Sequence, residues 1–89
     1  MKIKKGFVLR EVCGERVIVG EGLDAINFGK LLSLNETAAF LWRQAQQLGY
    51  FTIDNLVVAL CEEYDVTPTQ AEADITAIVD KWRDVGVIE

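Results

Sequence analysis

The 89-residue sequence contains no histidine, one proline and two cysteines. Histidine is the commonest general base and a frequent metal ligand, so its absence removes the simplest routes to acid–base catalysis and to a metal site. Cys13 and Cys61 are too few and too far apart for a zinc site or a disulfide framework. We therefore expect a protein that is not an enzyme and needs no metal or cofactor, with two free thiols in a reducing compartment.

Long apolar segments are also missing. No apolar run approaches the roughly 20 residues of a membrane-spanning helix, and the MKIKK start continues into GFVLR without the apolar core of a signal peptide. We expect a cytoplasmic protein with no membrane partner. Because the chain is short and 51% hydrophobic, it should form one domain over residues 1–89 around a single core.

The net charge of −5 is unevenly distributed. Residues 1–32 contain six basic and four acidic side chains, whereas residues 33–89 contain three basic and ten acidic ones. Protein affinity for nucleic acids depends largely on lysine and arginine contacts with phosphate groups. The acidic C-terminal part therefore disfavours a nucleic-acid partner.

Patterns typical of β-strands occupy the first third of the chain. Residues 7–12 (FVLREV) and 16–19 (RVIV) are rich in branched and aromatic side chains, and residues 13–15 between them resemble a hairpin turn. Residues 24–32 alternate as a third strand, in which Gly29 indicates a bulge or a close backbone approach. The pattern predicts a three-stranded antiparallel sheet.

From Ser33 onward the hydrophobic period changes from two residues to 3.6, which predicts helices. Asn35 is a suitable N-cap for a first helix over residues 36–48, although Ser33 and Glu36 form a competing capping box. Thr52 can cap a second helix that ends at Tyr64.

The third helix has the clearest start and stop signals. Thr67 is a suitable N-cap, Pro68 occupies the first helical position, and Gln70 completes a capping box. Gly86 is placed to end the helix. Trp42 and Trp82 lie on the apolar stripes of their helices and are expected in the core. The predicted fold is therefore α+β and winged helix-turn-helix-like, with an N-terminal three-stranded antiparallel sheet followed by three helices.

If the third strand pairs with the hairpin on one side, its other edge carries unpaired backbone amides and carbonyls. A peptide can satisfy these groups by adding a strand, and most such edges in proteins are merely protected from pairing. The pattern alone leaves both interpretations open.

Four segments together resemble one protein family. They are LLSLNETAAFLW at residues 31–42, FVLR at 7–10, CEEYDVTP at 61–68 and the final DVGVIE. Taken in their order along the chain, the four segments are similar to the PqqD-like family, which is named for pyrroloquinoline quinone biosynthesis protein D. Its fold is also called the recognition element of ribosomally synthesised, modified peptides (RiPPs).

The resemblance implies a noncatalytic, chaperone-like peptide-binding module. Such a module holds the leader segment of a precursor peptide and presents it to a modifying enzyme, often a radical S-adenosylmethionine protein. In the family the leader adds as a strand to the third strand and lays apolar side chains into a groove against the third helix. By position, the implied peptide-binding residues are Ala25, Ile26, Asn27, Phe28, Gly29, Lys30 and Leu31, together with Asp74, Ile78, Lys81, Trp82 and Val85.

One departure from the family concerns the turn between the first two helices. Residues 47–52 (QLGYFT) are longer and more aromatic than the short Asp-Gly turn of the quinone-pathway members. We therefore expect a divergent member that serves another peptide pathway, of the lasso or radical-enzyme type.

Two alternatives come from other functional classes. One is a winged helix-turn-helix DNA-binding regulator, which the acidic balance of the third helix disfavours. The other is a structural adaptor or a homodimer that pairs the same edge strand with itself.

Overall fold

The computed structural model describes residues 1–21 and 32–89. Three strands precede three helices in these residues, which confirms the predicted α+β architecture. The elements are β1 (Phe7–Val12), β2 (Glu15–Gly20), β3 (Leu32–Leu34), α1 (Glu36–Leu48), α2 (Ile53–Glu63) and α3 (Pro68–Val85).

The hairpin of β1 and β2 forms as predicted, with a tighter turn. Phe7 lies opposite Gly20 and Val12 lies opposite Glu15. Cys13 and Gly14 have φ values of 52° and 80°. Positive φ at both central residues is the two-residue turn that matches the twist of paired strands, so Glu15 belongs to β2 and not to the turn.

β3 lies on the opposite side of β2 from β1 and is antiparallel to β2. Ile18 lies opposite Leu32, and Arg16 lies opposite Leu34. The predicted third strand ended at Leu32, which is wrong because β3 continues to Leu34. The rest of that prediction, including Gly29, lies outside the described residues.

Asn35 explains why a strand passes directly into a helix at this point. Its backbone is extended, with φ −73° and ψ 177°, and its side-chain Oδ1 accepts a hydrogen bond from the amide of Ala38 at 2.8 Å. Asn35 is therefore the N-cap of α1, as predicted. The competing capping box is wrong, since Ser33 belongs to β3.

The starts of α2 and α3 use threonine caps. Thr52 Oγ1 accepts from the amide of Asn55 at 3.1 Å, and Asn55 Oδ1 accepts from the amide of Thr52 at 3.0 Å. Thr67 Oγ1 accepts from the amide of Gln70 at 3.2 Å. The capping box predicted for α3 is only half formed: Thr67 caps the helix, whereas the Gln70 side chain donates through Nε2 to Asp74 Oδ1 at 2.9 Å.

Both helix ends lie close to their predicted positions. α2 ends at Glu63, one residue before Tyr64, which has an extended backbone and acts as the C-cap. α3 ends at Val85, and its C-cap is Gly86, whose φ of 83° is left-handed and whose amide donates to the carbonyls of Trp82 and Arg83. Glycine adopts this conformation without the steric cost that a Cβ brings.

One face of the sheet packs against the helices around two tryptophans. Trp42 of α1 is 0% exposed and Trp82 of α3 is 1% exposed, which confirms their predicted core positions. Their rings meet edge to face, with centroids 5.2 Å apart and an interplanar angle of 83°. Such pairs contribute about 0.5–1.5 kcal/mol beyond the burial of their area. The contact fixes α3 beside α1.

The N-terminal residues pair with the end of the chain. The amides of Lys2 and Glu89 each donate to the other residue's carbonyl at 2.8 Å, and Lys2 Nζ lies 3.1 Å from Glu89 Oε1. The pKa of Lys2 is raised mainly by its hydrogen bond to the Glu89 side chain. Tyr50 and the charge of Glu89 make smaller contributions in the same direction. None of the described helices has both the length and the apolar character needed to cross a membrane.

Candidate functional site

The outer edge of β3 is the first component of the candidate site. β2 occupies the middle of the sheet, so β3 has a neighbouring strand on one side. Within residues 1–21 and 32–89, no strand or isolated bridge pairs with its other side. Backbone amides and carbonyls of such an edge can bond an added strand.

A groove runs beside this edge, between β3, the first turn of α1 and the middle of α3. Its volume is about 240 Å³. A cavity of about 150 Å³ can hold a benzene ring, whereas pockets for drug-sized ligands occupy about 300–1,000 Å³. The groove therefore suits an aromatic or aliphatic side chain better than a large cofactor. It is lined by Leu32, Ser33, Leu34, Asn35, Ala38, Ala77, Ile78, Lys81 and Trp82.

Packing accounts for the shape of the groove. Trp82 is almost fully buried and its edge-to-face contact with Trp42 holds it in place. Ile78 is half-buried one turn earlier on α3. Ala38 and Ala77 present only a methyl group from the two helices, which leaves the space between α3 and β3 unfilled. The result is an apolar groove with a rigid tryptophan in its wall.

Polar groups occur only at a few positions along the groove. Ser33 and Asn35 are exposed where β3 meets α1, and the Asn35 oxygen is already engaged by the amide of Ala38. Lys81 is exposed on α3 and is the sole charged residue among the described residues that line the groove. The site thus combines apolar walls, one positive charge and a strand edge with which no other described strand pairs.

Three of the residues that the family resemblance implied on α3 meet at this groove. They are Ile78, Lys81 and Trp82. Asp74 and Val85 do not line it: Asp74 accepts from Gln70 Nε2, and Val85 is half-buried against the core. The implied strand residues, from Ala25 to Leu31, lie outside the described residues.

Sequence reasoning missed six residues that line the groove, namely Leu32, Ser33, Leu34, Asn35, Ala38 and Ala77. The helical spacing offered one signal, because Ala77 lies four residues before Lys81 and so shares its face of α3. Ser33 and Asn35 were explained by helix capping alone. The structure shows that the capping residue Asn35 also borders the groove.

Other chemistry is sparse in the part of the chain that the structure describes. It contains no group of three or more cysteine, aspartate or glutamate side chains placed to hold a metal ion. Cys13 is exposed in the hairpin turn, Cys61 is half-buried on α2, and both are free. The groove beside the edge of β3 is therefore the candidate site that these residues offer.

Comparison with known proteins assigns the chain to a family. The model of the family described as "Coenzyme PQQ synthesis protein D (PqqD)" matches residues 11–88. The chain belongs to the PqqD family. This confirms the resemblance drawn from the four sequence segments, and the match includes β3, the groove and all three helices of this PqqD-family chain.

Two solved structures share the fold. TbiB1 in complex with the TbiA(beta) leader peptide superposes with a TM-score of 0.80 at 20% identity, over 100% of this chain and 95% of that chain. Lasso peptide synthetase B1 complexed with the leader peptide gives a TM-score of 0.77 at 22% identity, over 99% and 95%. No curated protein sequence matches this PqqD-family chain significantly.

Proposed function

We propose that this protein is a noncatalytic module that captures the leader segment of a ribosomally made precursor peptide and presents the peptide to a modifying enzyme. The leader adds as a strand at the outer edge of β3, and its alternate side chains enter the groove against α3. The observation that carries this proposal is the position of an apolar groove of about 240 Å³ directly beside an edge strand.

Strand addition explains why both features are needed. Main-chain hydrogen bonds along β3 supply affinity that any extended peptide can gain, so they select no sequence. Successive side chains of a strand point to opposite faces, so every second side chain of the peptide faces the groove. Selectivity therefore depends on the wall of α3, where Ile78 contacts the incoming apolar side chains beside the buried Trp82 and Lys81 contacts polar ones.

Family membership and the two structural neighbours support this function. Both neighbours were solved with a leader peptide bound, and the family is described by a role in coenzyme synthesis. The partner enzyme we propose is one that modifies the precursor, and the family resemblance implies a radical S-adenosylmethionine protein as one such class. The protein itself supplies binding and positioning, and it needs no catalytic group of its own.

Charge on α3 argues against reading of DNA. The exposed acidic side chains on this helix are Glu72, Asp74, Asp80 and Asp84, whereas Lys81 and Arg83 are its basic ones. A recognition helix in the major groove lies beside phosphates and uses arginine, asparagine or glutamine for base contacts. An acidic helix of this kind favours a peptide ligand.

The test uses the leader segment of a precursor peptide encoded beside this gene. Hydrogen exchange of the backbone amides of Leu32, Ser33 and Leu34 is followed by NMR with and without the peptide. Adjacent amides of a strand point in opposite directions, so those facing β2 are protected in the free protein already. We expect the peptide to slow exchange at the outward-facing amide and to shift the Ile78 and Trp82 side-chain signals.

Fluorescence anisotropy with mixed DNA duplexes serves as the comparison. We expect only weak DNA binding that disappears as salt rises. Salt-resistant DNA binding without any peptide effect on β3 would refute the proposal. A homodimer that occupies the β3 edge would instead show outward amides protected in the free protein and twice the monomer mass in light scattering.

A further inference from the structure

Lys81 lies at the groove without an ion-pair partner among the described residues. The ion pairs among the described residues join Lys2 to Glu89, Arg10 to Glu21 and Arg83 to Asp80. Lys81 takes part in none of these pairs, and its side chain is exposed at the rim of the groove, where the other described lining residues are uncharged. Its ammonium group is therefore available to a carboxylate from another molecule.

The surroundings of Lys81 make this availability selective. Glu72, Asp74, Asp80 and Asp84 are all exposed on the same helix, and residues 33–89 carry ten acidic side chains against three basic ones. Like charges repel over roughly the Debye length of about 8 Å at physiological salt. Arg83, the other basic residue of α3, is paired with Asp80, so Lys81 is the position on this helix where an acidic side chain of a bound peptide finds an unpaired positive charge.

The spacing of side chains along α3 and along a strand sets where that acidic residue must lie. Residues three or four apart on a helix have Cβ atoms about 5–6 Å apart, which applies to Ile78 and Lys81. Side chains two apart on a strand share one face and are separated by roughly 6.4–6.8 Å. A peptide strand that runs along α3 and places an apolar side chain against Ile78 thus brings its second-next side chain to Lys81.

We propose that Lys81 sets the register of the bound peptide by pairing with an aspartate or glutamate two positions from the apolar residue that enters the groove. This inference rests on the proposed strand addition at β3 and specifies the chemistry of its ligand. Backbone hydrogen bonding alone allows an extended peptide to slide along an edge. One apolar side chain in the groove and one carboxylate at Lys81 together permit a single alignment.

The experiment selects peptides from a displayed library of random short sequences. The baits are the wild-type protein, Lys81→Glu, Lys81→Gln and Lys5→Glu. Lys5 is exposed near the N-terminus and does not line the groove, so Lys5→Glu makes the same change in net charge outside the groove. Circular dichroism confirms that each bait is folded before selection. Kd values of selected peptides are then measured by anisotropy.

We expect the wild-type protein and Lys5→Glu to enrich peptides with an acidic residue two positions from an apolar one. Lys81→Glu should enrich lysine or arginine at that position. Lys81→Gln should show no charge preference there and should bind the wild-type peptides about two- to fivefold more weakly, as for an exposed ion pair.

Two results would overturn the proposed role of Lys81 and leave the proposed peptide binding intact. One is enrichment of the same peptides by wild-type protein and Lys81→Glu, and the other is an acidic residue at variable distance from the apolar position. Failure of every bait to enrich any peptide would overturn the proposed peptide binding itself, and this inference with it.

Discussion

Replacement of Asn35 by alanine separates stability from ligand contact at the junction of β3 and α1. Asn35 Oδ1 accepts from the amide of Ala38 at 2.8 Å, and no amide in the first turn of a helix has an intrahelical partner. Loss of an N-cap side chain costs about 0.5–2 kcal/mol. Because Ala38 is only 6% exposed, water has limited access to the freed amide, which favours the upper half of that range.

We therefore expect Asn35→Ala to lower the free energy of unfolding by about 1–2 kcal/mol. For a domain of this size each 1 kcal/mol lowers Tm by roughly 4–8 °C, so the change is measurable by differential scanning calorimetry and urea titration. Asn35→Asp keeps the capping oxygen and adds a negative charge at the helix N-terminus, which is favourable by about 0.3–1 kcal/mol. It should be at least as stable as the wild-type protein.

Asn35 also borders the groove, so peptide affinity must be measured at a temperature where every variant is folded. We expect Asn35→Ala to bind peptide nearly as well as the wild-type protein, because the walls that select side chains come from α3. An unchanged Tm combined with lost peptide binding would refute the capping argument and assign Asn35 to ligand contact.

Three further predictions concern α3, the core and the chain ends. Ala77→Trp should fill the groove and weaken peptide binding at least about tenfold, or about 1.4 kcal/mol. Ala73 lies on the same helix but outside the lining, so Ala73→Trp should retain peptide affinity. Equal losses of affinity in the two variants would contradict this site. Trp42 Nε1 is buried with no hydrogen-bond acceptor among the described residues. Trp42→Phe should therefore lower the free energy of unfolding, measured by urea titration, by less than the roughly 3–5 kcal/mol of a tryptophan-to-alanine truncation. An equal loss of free energy would contradict the unpaired donor. The Glu89 side chain raises the pKa of Lys2 above 10.5, so the stability from this pair is present below that value and is lost as pH rises through the raised pKa. Glu89→Gln should lower the Lys2 pKa in an NMR titration. An unchanged Lys2 pKa would count against the pair.

Much of the fold follows from local rules that the sequence displays directly. The two-residue hairpin turn at Cys13 and Gly14, the N-caps at Asn35 and Thr67, and the left-handed Gly86 each depend on a few neighbouring residues. Backbone sterics and short-range hydrogen bonds decide such features. They are therefore visible without knowledge of the packed structure.

Competition between neighbouring signals was harder to resolve. Ser33 and Asn35 both offered a helix cap, and pairing of β3 with β2 through Leu34 decided in favour of Asn35. The spacing predicts that the Gln70 side chain accepts from the amide of Thr67, but its Nε2 donates to Asp74 one turn later on α3. In both cases the sequence offered two local arrangements, and the contact seen in the fold belongs to one of them.

The sequence by itself determined the family, the order of the elements and the apolar stripes that bury Trp42 and Trp82. Only the tertiary structure decided that residues 32–38 and 77–82 enclose a common groove. These segments are far apart in the chain, so no local preference relates them. Their separation is set by how α3 packs against α2 and by the Trp42–Trp82 contact with α1, with alanines at positions where larger side chains would close the space.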